Sequence, residues 1–352
     1  MKRIKVLIVD DSAFMRKIIT DIIGLDHELQ VVGAAKNGKD ALEKINKLAP
    51  DVVTLDVEMP VMNGIDTLQS IMNKNPMPVI MLSSITKEGA EATLKALSFG
   101  AVDFITKPSN LFKMNTEDIA VQITEKIKIA AKVNITSNNF TKTLRTLDKE
   151  KPKQNLKSDG IINKIISIGT STGGPRALQE IIPFIPGDIP ASILIVQHMP
   201  KGFTKSLAER LNNLSQINVK EAEQDETIKP GYAYIAPGNF HMKLVQEGHS
   251  IYKIRLTNDN TVSGHRPSVD VMMNSLTDLS LNNLIGVILT GMGSDGSEGM
   301  RRIKELNGYT IAQDESTCVV YGMPKAAVGL NCIDAILPIN EIAARIMKVV
   351  GV

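Results

Sequence analysis

The sequence predicts an α/β fold of two doubly wound domains in tandem, each with a mostly parallel sheet, the second also carrying an antiparallel hairpin. Three observations predict it. Through residues 1–133, short β-branched runs alternate with amphipathic stretches. Across residues 161–352 the same rhythm returns, broken once by two apolar runs flanking a Gly-containing turn. Between them, residues 134–160 show no period and are rich in Asn, Thr, Ser and Lys. Strand and helix in regular alternation read as a parallel sheet with right-handed crossovers. A length of 352 residues agrees with two domains at about 100–200 residues each.

The first domain's strands are expected at 6–9, 31–34, 52–55, 79–82 and 102–105. The first helix is expected over 12–23, where Phe14, Ile18 and Ile22 recur at four-residue spacing. Several of these strands are apolar on both faces, which suits a sheet covered by helices on each side. Residues 134–160 hold six Lys or Arg against three Asp or Glu, and read as a solvated linker, with docking to an acidic partner as the alternative. The second domain's strands are expected at 165–169, 193–197, 233–236, 284–289 and 309–312. Runs 242–245 and 252–256 flank Gln246-Glu247-Gly248-His249-Ser250 as a hairpin, and 340–349 reads as a closing amphipathic helix.

Composition excludes several classes. A hydrophobic share of 43% with 22% charged residues excludes wholesale disorder. No run approaches the roughly 18 apolar residues of a membrane helix. The start, MKRIKVLIVDD, imitates a signal peptide, but its apolar run is short and two aspartates follow. Cys318 and Cys332 are too few for a disulfide framework or a cysteine zinc site. A cytoplasmic protein with free thiols is expected. A net charge of +2, 4% aromatics and no Trp give no prior for nucleic-acid binding.

Asp10 and Asp11 end the first predicted strand and Asp56 ends the third. In a doubly wound sheet these carboxyl ends share the crevice at the topological switch point. Three carboxylates meeting there repel unless a hard cation joins them, and oxygen ligands favour Mg²⁺. Ser83 follows the fourth strand and Lys107 the fifth. An ammonium and a hydroxyl beside a carboxylate and Mg²⁺ suit phosphoryl transfer to Asp56. Each residue alone has a blander explanation, as a helix N-cap or a turn. Five in register with the strand ends are hard to explain that way. The set DD…LDVEMPVMNG…LSS…DFITKP resembles the response-regulator receiver family, which is flavodoxin-like, over the first 130 residues. That resemblance implies phosphorylation of Asp56 by a histidine kinase, with the Glu58 backbone carbonyl joining Asp10, Asp11 and Asp56 at the metal. It also makes Phe104 the aromatic switch, where many receivers carry Tyr.

In the second domain, Gly169-Thr170-Ser171-Thr172-Gly173 fits G-x-S-x-G, a strand-to-helix turn that exposes a nucleophilic serine. It lacks the Lys-Ser/Thr of a P-loop and the spacing of a dinucleotide loop, although a phosphate-cradling loop stays open. The next strand delivers His198. Thr290-Gly291-Met292-Gly293-Ser294-Asp295-Gly296 then places Asp295 at a helix start, where its plain role is an N-cap. Asp225, Asp270 and Asp314 compete for the task of orienting His198. The order Ser171, His198, Asp295 differs from that of α/β-hydrolases. His27 and His249 read as solvated loop residues, whereas His241 and His265 lie near loops that could line a cleft.

GTSTGGP, QHMP, PGNFHM, SGHRPSVDVMM and LTGMGSDGSEGM, in this order, resemble the chemotaxis protein-glutamate methylesterase family, CheB. The resemblance implies phosphorylation-activated hydrolysis of glutamate γ-methyl esters, and deamidation of glutamine, on methyl-accepting chemoreceptors. It implies Ser171 as nucleophile, His198 as base and Asp295 as its orienting acid, with no cofactor for ester hydrolysis. Backbone N–H groups near Thr172 and Met292 are candidates for the oxyanion hole, and His265, Arg266 and His241 for the substrate groove. Alternatives are a phosphorylation-controlled binding protein and a small-molecule esterase. A transcription factor would need a basic recognition helix, which does not occur after residue 160.

Overall fold

The computed structural model describes residues 3–107, 116–133, 135, 162–248, 251–279, 281 and 283–352. The chain divides into two compact units, Met1–Thr146 and Leu147–Val352, a division inside the stretch read as a linker. That stretch lies outside the described residues except for residue 135, as do Pro108 and His249. Among the described residues no helix is long and apolar enough to cross a membrane, and Cys318 and Cys332 are free.

The first unit is a five-stranded sheet of β1 (Ile4–Val9), β2 (Leu29–Ala35), β3 (Val52–Asp56), β4 (Val79–Ser83) and β5 (Asp103–Thr106) in the order β2-β1-β3-β4-β5. Every pairing is parallel. Helices α1 (Ala13–Gly24), α2 (Gly38–Leu48), α3 (Gly64–Lys74), α4 (Lys87–Ser98) and α5 (Thr116–Ala130) connect or follow the strands. Strands β3 and β4 are buried at every residue, as two-sided cover requires. Local chemistry sets the helix starts: Ser12, Asn37, Asn63 and Thr86 each accept a backbone N–H of the first turn.

The second unit contains β6 (Lys164–Thr170), β7 (Ala191–Gln197), β8 (Asn218–Glu221), β9 (Tyr232–Ile235), β12 (Leu284–Ile288), β13 (Tyr309–Gln313) and β14 (Ala335–Leu337). They form one sheet in the order β14-β13-β12-β6-β7-β9-β8. β10 (His241–Gln246) and β11 (Tyr252–Thr257) pair antiparallel as a separate ribbon. The helices are α6 (Gly174–Ile181), α7 (Phe203–Leu214), α8 (Val269–Asp278), α9 (Ser297–Glu305), α10 (Met323–Gly329) and α11 (Ile339–Val350). The inner face of the ribbon, Met242, Leu244 and Ile254, joins Val269, Met272 and Met273 of α8 in one buried cluster.

Two parallel sheets and a hairpin are the architecture the sequence predicts. Strands β8 and β14 are additions to that reading. They are four and three residues long and flank the sheet. The half-buried residues of β8, with Val219 alone buried, and the Ala-Ile-Leu run of β14 give little period-2 signal over so short a span.

The sheet order decides where chemistry can occur. Strand β6 lies between β12 and β7; the chain runs on from β6 to β7 on one side and from β12 to β13 on the other, so the switch point lies between the carboxyl ends of β6 and β12. Thr170 of β6 is in register with Gln197 of β7, so the residues that follow, Ser171 and His198, emerge side by side. Leu289 N–H bonds to the Gly169 carbonyl across the β12 side, which brings the 290–296 loop to the same edge.

Candidate functional site

The carboxyl edge of the first sheet holds an acidic crevice. Asp10 and Asp56 are buried and Asp11 is exposed. One oxygen from each lies within 4.8 Å of the others. Lys107 Nζ reaches Asp10 Oδ2 at 2.9 Å and Asp56 Oδ2 at 2.6 Å. Burial pushes the Asp56 carboxyl up to about 6 against the pull of Lys107, while those two carboxylates hold the Lys107 ammonium above its ordinary value despite its own burial. A cleft of about 570 Å³, lined by Asp11, Glu58, Met59 and Asn63 among others, opens beside them. Three carboxylate oxygens clustered around one point suit a hard divalent cation such as Mg²⁺. Glu58 is held there by its N–H, which donates to Asp56 Oδ1 at 3.3 Å.

Ser83 ends β4 and Phe104 lies within β5, and each faces other groups. The Ser83 hydroxyl is wholly buried, receives a bond from Thr93 Oγ1 at 2.7 Å and donates toward the Gly89 carbonyl at 3.1 Å. It is thus held by α4. Phe104 is buried, with Lys126 Nζ 5.2 Å from its ring centroid.

On the second sheet, the three sequence-predicted residues leave neighbouring strands. Backbone bonds fix Ser171: its N–H donates to the Thr290 carbonyl at 3.1 Å, and its carbonyl accepts Gly174 N–H at 2.8 Å. The Gln197 side-chain amide ties Ser171 to His198, donating to their carbonyls at 2.9 and 3.2 Å. His198 Nε2 lies 2.7 Å from Asp295 Oδ2. An acceptor-only carboxylate there makes Nε2 the protonated nitrogen. His198 Nδ1 is buried without a hydrogen-bond partner, and is the basic nitrogen left on the imidazole. The His265 ring stacks on His198 with centroids 3.8 Å apart and an interplanar angle of 12°.

Asp295 does not cap the helix that follows it: Gly296 is the N-cap of α9. It receives instead Ser268 Oγ–H at 2.8 Å, Val269 N–H at 2.7 Å and Asp270 N–H at 3.0 Å from the start of α8. Close packing permits this approach. A Cβ on Gly169 would lie 2.3 Å from Val269 Cγ1, and one on Gly296, at φ +94°, would lie 2.6 Å from the same atom. Only glycine lets both β6 and the turn before α9 close on Val269. Burial works against the Asp295 charge, but the bond and charge of His198 and the backbone donors outweigh it and hold its carboxyl below the usual range.

The competing acids are engaged elsewhere. Asp225 pairs with Arg255, Asp314 receives Thr317 N–H, and Asp270 accepts Gly299 N–H of α9 at 2.7 Å. Burial, with the Asp295 charge beside it, pushes the Asp270 carboxyl up to about 6. Its folded value lies above the ordinary 3.8, so the native state binds more protons between pH 4 and 6. Stability contributed by this group therefore falls as pH rises through that window. Asp270→Asn is expected to change stability relative to wild type in the favourable direction on going from pH 4 to pH 8. The change is on the order of 1–2 kcal/mol once solvent screening is allowed for. Melting curves of both proteins across that range check it, and a pH-independent difference contradicts it.

One groove candidate lies inside the domain. His241 is wholly buried, its Nδ1 accepting Ser268 N–H at 3.2 Å and its Nε2 facing the Asn260 carbonyl at 3.0 Å. It supports the start of α8 and does not line an open groove. Arg266 Nη1 is bound to the carbonyls of Asn258 and Asp259, both at 2.8 Å. Thr172 is buried and its carbonyl accepts the Thr290 hydroxyl, whereas Met292 is exposed. Sequence reasoning missed Gln197 and Ser268. Ser268 carried a signal, since Ser followed by Val-Asp and an apolar run is an N-cap signature.

Both units match known families. Residues 166–346 match the family described as CheB methylesterase, and residues 6–117 match the response regulator receiver domain. A protein-glutamate methylesterase/protein-glutamine glutaminase of Halalkalibacterium halodurans is 51% identical over 348 residues, 98% of each chain. One from Geobacillus kaustophilus is 47% identical over 352 residues, covering 100% of both. The crystal structure of the Thermotoga maritima CheB methylesterase catalytic domain has a TM-score of 0.52 and 45% sequence identity. The match covers 53% of this chain and 97% of that one. Fold and matches together define a carboxylic ester hydrolase joined to a response-regulator receiver. The chain belongs to the CheB methylesterase family, enzymes with protein-glutamate methylesterase and protein-glutamine glutaminase activity.

Proposed function

We propose that this enzyme hydrolyses glutamate γ-methyl esters, and deamidates glutamines, on methyl-accepting chemoreceptors in the cytoplasm, under control of receiver phosphorylation. The observation that carries the reading is the array of strand ends β12, β6 and β7, with His198 Nε2 2.7 Å from Asp295 and Nδ1 unpaired. Ser171 Oγ attacks the ester carbonyl while His198 Nδ1 takes its proton and then delivers it to departing methanol, or to ammonia from an amide. Asp295 holds the imidazole tautomer and stabilises the imidazolium. The acyl-enzyme is released as free glutamate by water that His198 activates. Backbone N–H groups near Thr172 and Met292 receive the oxyanion, each donor contributing about 3 kcal/mol. His265 and Arg266 border the substrate.

The receiver spans 1–133, the linker 134–160 and the catalytic domain 161–352. Asp56 accepts phosphate from a histidine kinase. Asp10, Asp11, Asp56 and the Glu58 carbonyl would hold Mg²⁺, which supplies charge neutralisation for phosphoryl transfer. Ser83 leaves α4 to bond a phosphate oxygen beside Lys107, and Phe104 senses that shift. The unphosphorylated receiver restrains the esterase, a restraint of a few kcal/mol being enough to hold most molecules inactive. Removing residues 1–133 is therefore expected to raise methanol release without a phosphodonor. An unchanged or lower rate overturns the inhibitory role.

A further inference from the structure

Asp295 is held from two sides, and the side opposite His198 is built from a buried chain of hydrogen bonds. Ser268 is wholly buried, and its hydroxyl accepts Val271 N–H at 3.3 Å as the N-cap of α8. Its single proton goes to Asp295 Oδ1 at 2.8 Å. The Ser268 N–H donates to His241 Nδ1, while His241 Nε2 faces the Asn260 carbonyl. A carbonyl can only accept, so Nε2 carries the imidazole proton and Nδ1 is the acceptor that Ser268 requires. His241 opens β10, and a second bond, Leu244 N–H to Ser275 Oγ at 2.9 Å, joins the same strand to α8. The ribbon thereby fixes where α8 begins.

We infer that Ser268 is a positioning residue of the hydrolytic centre, with His241 fixing Ser268 in turn. The inference rests on the reading of Ser171, His198 and Asp295 as that centre. The Ser268 donor on Oδ1 sets the plane of the carboxylate, so that Oδ2 stays on His198 Nε2 and Nδ1 stays unprotonated. Without it, Oδ1 keeps only the Asp270 N–H while Val269 N–H and His198 stay on Oδ2, so the plane of the carboxylate against the imidazole is held less firmly.

The test measures kcat and KM for release of labelled methanol from chemoreceptor membranes by the full chain. Ser268→Ala is expected to lower kcat about tenfold to a hundredfold, the scale of one hydrogen bond to a charged group, with KM within about twofold. In an Asp295→Asn background the same change is expected to cost less than about threefold, because the group it positions is gone. Ser268→Cys keeps the shape with a weak donor and is expected to lose kcat similarly. It decides the matter if the alanine variant does not fold. Wild-type kcat in either variant, an effect on KM alone, or equal losses in both backgrounds overturns the positioning role. Ser171→Ala in the same assay separates the two claims: if it stays active, the centre lies elsewhere and the underlying reading fails.

Discussion

Ser171→Ala is expected to lower methyl ester hydrolysis by about 10⁶-fold, the scale on which removing a serine nucleophile acts. The bonds that fix the turn use the Ser171 N–H and carbonyl, through Thr290, Gly174 and Gln197. The hydroxyl oxygen is therefore dispensable for the turn, and stability should change by no more than roughly 0.5 kcal/mol. KM should persist as well, since the rest of the cleft is intact. A thermal melt beside the rate measurement separates loss of chemistry from loss of fold. A variant that keeps more than a few per cent of the rate contradicts the nucleophile assignment.

Asp295→Asn is expected to lower kcat about 10⁴-fold, for a reason that the donors around it make specific. Four groups donate to this carboxylate: His198 Nε2, Ser268 Oγ, Val269 N–H and Asp270 N–H. An asparagine brings an NH₂ where all four neighbours are donors. If the NH₂ faces His198, the imidazole must accept at Nε2 and carry its proton on Nδ1, the nitrogen that the mechanism requires to be bare. If it faces α8, it meets Ser268 and Asp270, and a buried donor goes unpaired at a cost of about 1–3 kcal/mol. Activity loss and a lower melting temperature are thus expected together, in contrast to Ser171→Ala. A variant within tenfold of wild type, with an unchanged melt, contradicts the tautomer argument.

Much of this was legible in the sequence because strand ends in doubly wound sheets are marked by a change from apolar run to polar loop. Asp10, Asp56, Ser171, His198 and Asp295 were each found at such a change, and the strand order then did the assembling. What escaped is tertiary. Ser268 and Asp295 are 27 residues apart, and no local pattern says that the N-cap of one helix supports an acid before the next. His241 reads as lying near a loop that could line a cleft, yet the ribbon folds it wholly inside. The stacking of His265 on His198 depends on a turn whose reach no periodicity encodes. Ser83 ends β4, where the sequence puts it, but the direction of its hydroxyl is decided by Thr93, ten residues on.

The central claim, that receiver phosphorylation drives ester hydrolysis at the second sheet's switch point, is tested most directly by methanol release from methylated chemoreceptor membranes. Wild type and Asp56→Asn are compared, each with and without Mg²⁺ and acetyl phosphate. The account predicts release by wild type that the phosphodonor stimulates only with Mg²⁺ present, and a basal rate in Asp56→Asn that the donor leaves unmoved. No release from wild type supplied with Mg²⁺ and acetyl phosphate, or stimulation that survives Asp56→Asn, would contradict it.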